Sequence, residues 1–86
     1  MKYVKATQKG HPYSSSTTWY IQLFDNGRYR ATAVDDVHEK AYFVIIGRYS
    51  IDDKFHMGIP HAHRTFDSDE WQYITEAEYL LALNIL

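Results

Sequence analysis

The chain has 86 residues, no cysteine and a formal net charge of −2. That length holds one domain, residues 1–86, and a chain this size buries only about 60–65% of its unfolded surface. Without cysteine, disulfides, thiolate metal sites and cysteine nucleophiles are excluded, which fits a reducing cytosol.

The opening "MKYVKATQKG" has no apolar core after its lysines, so no signal peptide is expected. "KYVKATQ" alternates as a strand does, and "GHPYSSS" then breaks the pattern into a loop. In "TTWYIQLFDNGRYRATAV", Trp19, Ile21 and Leu23 share one face, and Tyr20, Gln22 and Phe24 share the other. Asp25, Asn26 and Gly27 form a hairpin signal, because Asn and Gly tolerate the positive φ of a tight turn. The return strand puts Tyr29, Ala31 and Ala33 on one face, and Arg28, Arg30, Thr32 and Val34 on the other. "DDVHEK" is a polar connection. "AYFVIIGRYSI" reads as a central strand, apolar on both faces, with Gly47 as a candidate bulge. Its apolar run is far short of the roughly 20 residues that span a bilayer. Asp52 and Asp53 turn the chain into a short "KFHM" segment. Gly58 and Pro60 then bracket a histidine-bearing loop.

"EWQYI" reads as a short strand, followed by a helix from Glu76 to about Asn84. Thr75 and Glu78 have capping-box spacing, and Ile74 and Tyr79 have the spacing of a hydrophobic staple. Ala77, Leu80, Leu81 and Leu83 supply an apolar face, which is expected to cover the sheet. The fold class expected is α+β: an antiparallel sheet of four or five strands with the C-terminal helix packed on one face.

Three histidines fall in "HMGIPHAHR": His56, His61 and His63. On a strand, His61 and His63 would share a face, and Asp67 could add a carboxylate to a metal site. "HAHRTFD" resembles the first half of a cupin metal motif, which would imply Zn, Fe or Mn. However, Asp67 replaces the usual Glu, Phe55 stands where a glycine precedes the first histidine, and no second motif follows. "HRT" resembles one H-x-T element of the two-histidine phosphoesterases, whose chemistry needs two. The expectation is therefore a polar loop, no bound metal and no cofactor. "SSS" lacks the context of a hydrolase nucleophile, and no glycine-rich phosphate loop is present. Asp35–Asp36 and Asp52–Asp53 sit in turn contexts. No enzyme activity is expected.

Charge is uneven along the chain: residues 1–34 sum to +4 and residues 35–86 to −6. Such a division steers association if the fold keeps the halves apart. Eight Tyr, four Phe and two Trp are more than so small a core can hold, which leaves aromatic groups for contact surfaces. The opening "MKYVK", the hairpin "YIQLFDNGRYR" and the later "RTFDSDEW" give the chain a style that resembles the small accessory proteins of phages and mobile elements, such as anti-CRISPR inhibitors. That resemblance assigns no functional residue. It implies a cytoplasmic inhibitor, acting in the host cytosol if phage-encoded, that sterically blocks a host defence component or another host protein.

The leading expectation is thus a non-catalytic protein-binding module with no membrane partner. Arg28, Tyr29 and Arg30 are the first candidate contacts, and Asp67, Asp69 and Glu70 the second. The alternative is a nucleic-acid binder in which Lys2, Lys5, Lys9, Arg28 and Arg30 line a sheet face with Tyr3, Tyr20 and Tyr29. A homodimer is compatible with either, and a histidine metal protein is the lesser alternative.

Overall fold

The computed structural model describes residues 1–8, 16–35, 41–59 and 62–83. In chain order the elements are β1 (Lys2–Gln8), β2 (Thr17–Leu23), β3 (Arg28–Asp35), β4 (Ala41–Ile51), β5 (Phe55–Ile59), β6 (Ala62–Phe66), β7 (Trp71–Ile74) and α1 (Glu76–Ala82). The strands form one sheet in the order β6-β5-β4-β3-β2-β1-β7, and all neighbours are antiparallel. No helix among the described residues is long and apolar enough to cross a membrane.

This corrects the expected sheet of four or five strands: the described residues form seven, curled into a half-barrel. The additional pairing comes from residues 55–66, expected as a short segment and a loop. Phe55, Met57 and Phe66 are all buried, while His56 and Thr65 pair across the other face of the β5–β6 ladder. His56 and His63 therefore occupy polar positions of a period-two pattern. Asp52 makes the preceding turn: its carboxylate accepts the Lys54 N–H at 2.7 Å, and its own N–H donates to the Lys54 carbonyl at 3.1 Å.

The inner face of the curl is the core. Val4, Ile21, Ala31 and Ile45 lie in one register row, and Ala6, Trp19 and Ala33 lie in the next. Small Ala31 and Ala33 stand beside large Ile21 and Trp19, the alternation of sizes that suits the interior of a small curled sheet. The two edges, β6 and β7, approach through side chains. The Phe55 ring lies 5.7 Å from Trp71 and 6.2 Å from Phe66. Arg64 sits 5.3 Å over the Trp19 ring and donates to the Gln8 side chain. The Thr7 N–H donates to the Glu70 carbonyl at 2.8 Å.

Gly47 marks no bulge. It stays in register with Tyr29, and the register shift falls between Ala33 and Val34, opposite Phe43 and Ala41. Its role is clearance. A Cβ here would collide with the Gly58 carbonyl oxygen and come 3.0 Å from the Tyr29 hydroxyl. That hydroxyl crosses the bare backbone to donate to the Gly58 carbonyl at 2.9 Å.

The capping box forms as the sequence predicts. The Glu78 N–H donates to Thr75 Oγ1 at 3.1 Å, and the Thr75 N–H donates to Glu78 Oε1 at 3.3 Å. The expected leucine face needs correction. Leu81 is 67% exposed, and the buried helix residue is Tyr79. Its ring lies 4.8 Å from that of Tyr3, which places α1 on the outer face of β1 and β2.

Candidate protein-docking face

The outer face of β3 and β4 is built by the hairpin at Asp25–Gly27. Gly27 adopts φ +82°, and its N–H donates to the Phe24 carbonyl at 3.1 Å. The Phe24 N–H donates to the Arg28 carbonyl at 2.8 Å, and the Asn26 side chain accepts the Arg28 N–H at 3.1 Å. This three-residue loop, with glycine in the left-handed region, fixes which side chains of β3 face outward.

Register then sets the composition of that face. Arg28 pairs with Arg48, Arg30 with Ile46 and Thr32 with Val44. Both arginines of the first pair are exposed, Ile46 is 67% exposed and Val44 is 45% exposed. Among the described residues, neither Arg28 nor Arg48 forms an ion pair. Three acids near this end of the sheet lie beside other groups. Asp25 lies 3.8 Å from the Met1 amine, Asp52 lies 3.1 Å from His56, and Asp67 lies 3.4 Å from Lys54. Arg30 differs, because it lies beside the Tyr79 hydroxyl. Burial pushes that hydroxyl above its ordinary pKa of 10.0, against the pull of the Arg30 charge.

The structure separates the residues singled out from sequence. Arg28 and Arg30 are exposed on the outer face. Tyr29 is 1% exposed in the core, so it offers nothing to a partner, and burial raises its pKa. Strand alternation explains the difference, since Tyr29 shares its face with Ala31 and Ala33. Asp67, Asp69 and Glu70 lie on the β6–β7 turn, away from the central strands β3 and β4. Their carboxylate oxygens come within 4.8 Å of one another. Glu70 is occupied locally, because its carboxylate accepts the Asp67 N–H at 2.9 Å. Of the metal candidates His61, His63 and Asp67, His61 lies outside the described residues. His63 is exposed on β6, and Asp67 is paired with Lys54. Lys9, from the alternative basic face, also lies outside the described residues. The rest of that face is divided by the register. Tyr3 and Lys5 stand on the outer side, while Tyr29 is inside and Tyr3 lies against Tyr79.

Two features escaped sequence reasoning. The first is the exposure of Val44, Ile46 and Arg48. β4 is apolar at nearly every position, but one alternate set ends in Arg48 and Ser50 while the other stays apolar to Ile51. That asymmetry was the available signal. The second is a side-chain chain on the β5–β6 hairpin. His56 Nε2 lies 3.1 and 3.2 Å from the two Asp52 carboxylate oxygens, and its Nδ1 lies 3.2 Å from Thr65 Oγ1. The Lys54 N–H, and then His56, hold the Asp52 carboxyl below its ordinary value of 3.8. This chain ties the β4–β5 turn to β6. A separate open cleft of about 410 Å³ is lined by Met1, Lys2, Tyr3, Tyr73, Ile74 and Glu76, with the Lys2 ammonium 5.5 Å over the Tyr73 ring. Comparison with protein-family models, with curated proteins and with solved structures returns no match.

Proposed function

We propose that this protein works by docking the outer face of β3 and β4 onto another protein, and that covering the partner's surface is its action. The observation that carries this reading is the exposure of Val44 and Ile46 beside two arginines without acidic partners. Aliphatic groups bordered by arginine form a contact surface of the kind proteins use for one another. Withdrawing Ile46 from water on docking contributes about 1–2 kcal/mol, since roughly two-thirds of the side chain is exposed. The resemblance to phage accessory proteins supports a steric inhibitor, with a host or defence protein as the one covered.

The test uses a photo-crosslinking amino acid in place of Ser50, an exposed position on the same face. In host lysate the expected product is a discrete protein adduct. Adding Ile46→Asp should abolish it while the far-UV circular dichroism stays unchanged. Adducts that form equally with Ile46→Asp, or that form only from a crosslinker at Gln72 on β7, would move the docking surface elsewhere.

A further inference from the structure

Val44, Ile46 and Arg48 occupy alternate positions of one strand, so their side chains leave the same face roughly 6.6 Å apart. Arg28 stands directly across from Arg48 in the register. Like charges opposite one another in a sheet repel, and among the described residues no acid is ion-paired with either arginine. Three acids at this end lie beside other groups, Asp25 by the Met1 amine, Asp52 by His56 and Asp67 by Lys54, and Asp53 on the β4–β5 turn forms no ion pair with either arginine among the described residues. The face therefore presents a line of three alternate positions, two aliphatic and one cationic, with a second guanidinium beside the cationic end.

We infer that the contact segment of the partner is an extended strand of a different protein bearing two aliphatic side chains and then a carboxylate at alternate positions. The aliphatic pair lies over Val44 and Ile46, and the carboxylate lies between Arg28 and Arg48. This rests on the docking role proposed above for the same face. Aligned sheets pack face to face with their side chains interdigitated, which brings such a strand over β4 with matching spacing. A carboxylate between two guanidiniums forms strong charge-assisted hydrogen bonds and removes the repulsion. A second copy of this chain does not fit. The outward positions of β3 and β4 from Arg28 to Val34 and from Val44 to Ser50 carry no acid. Two copies laid face to face would thus meet each arginine with an aliphatic group, a hydroxyl or another arginine, and never with a carboxylate. A single-stranded nucleic acid fits poorly as well, because its bases stack on aromatic side chains and this line is aliphatic.

The test titrates the full chain against a cyclised β-hairpin peptide that displays Leu-x-Leu-x-Glu on one face, using fluorescence anisotropy. A peptide with Lys for Glu, one with Ser for both Leu, and a single-stranded oligonucleotide complete the set. The Glu peptide should bind about tenfold more tightly than the Lys or Ser peptide. In the variant carrying both Arg28→Glu and Arg48→Glu the preference should invert toward the Lys peptide, a swap that lost structure cannot produce. Equal binding of the Glu and Lys peptides, an unchanged preference in the variant, or binding of the oligonucleotide alone would overturn the inference. The crosslinking experiment separates this failure from failure of the docking role. An adduct that survives the double arginine change but is lost with Ile46→Asp leaves docking in place and removes the acidic chemistry. Loss of any adduct from Ser50 in the parent chain removes both.

Discussion

The outer face of the sheet is treated differently on its two halves. Over β1 and β2 the helix seals it, with Tyr79 lying on Tyr3. Over β4 the outer face is bare among the described residues, and Val44 and Ile46 stand in solvent, with the Tyr79 side chain reaching only as far as Arg30 and Thr32 of β3. The dimensions account for the boundary. A helix is about 10–12 Å across with its side chains, and strands lie about 4.8 Å apart, so one helix shelters about two strands. The chain invests its one described helix in one half, and the other half still carries aliphatic side chains. Burial on the sealed half stabilises the fold, while exposure on the bare half contributes nothing to it until something else covers it.

The sharpest way to break this contrast is Tyr79→Ala. It removes the only buried helix residue and should cost about 3–4 kcal/mol, read as a lower urea midpoint. Leu81→Ala on the same helix should leave the midpoint within about 0.5 kcal/mol of the parent, because that side chain faces water. A large loss from Leu81→Ala would return the leucines to the buried face.

Gly47→Ala comes next. Its Cβ would press on the Gly58 carbonyl and the Tyr29 hydroxyl, and overpacking of this kind costs about 1–3 kcal/mol. Wild-type stability in that variant would show that β4 and β5 do not approach as closely as described.

Alkaline pH probes the buried tyrosines more gently, Tyr79 under the helix and Tyr29 in the core beneath β3. Burial holds Tyr29 and Tyr79 above their ordinary 10.0. A raised folded pKa means that the linked stability is fully present below the unfolded value, and is lost as pH rises through 10 and the folded values. Tm should therefore fall on that limb, and Tyr79→Phe should flatten the fall. The acid limb has the opposite sign. The lowered Asp52 pKa contributes stability above 3.8 that disappears as pH falls through its folded value, and Asp52→Asn should remove that contribution. The smallest effect belongs to the bare half. Ile46→Ser should change stability by less than about 0.5 kcal/mol, while the crosslinked adduct from Ser50 disappears.

Local patterns were legible and closure was not. The Asp25–Gly27 turn, the alternation of β2 and β3 and the Thr75–Glu78 capping box each depend on residues close in sequence, and each is present. Strand β6 was hidden because His63 and Arg64 read as loop residues until Phe66 found Phe55 across the ladder. The curl depends on partners far apart, such as Phe55 with Trp71, and on a strand twist that no single segment encodes. The site was half legible. Arg28 and Arg30 follow from hairpin parity, and the same parity places Tyr29 inside. The outward side of β4 was written only in Arg48 and Ser50, which end one alternate set, because apolar residues populate both of its faces.

The pairing of β1 with β7 joins Tyr3 to Ile74, nearly the full length of the chain. Until β7 forms, one edge of β1 has no partner from this pairing. Chains dominated by such distant pairings fold slowly, in milliseconds to seconds. Closing this pairing carries the largest loop-closure cost in the sheet, because β1 gains its second neighbour only when β7 folds back across the five strands between them in sequence.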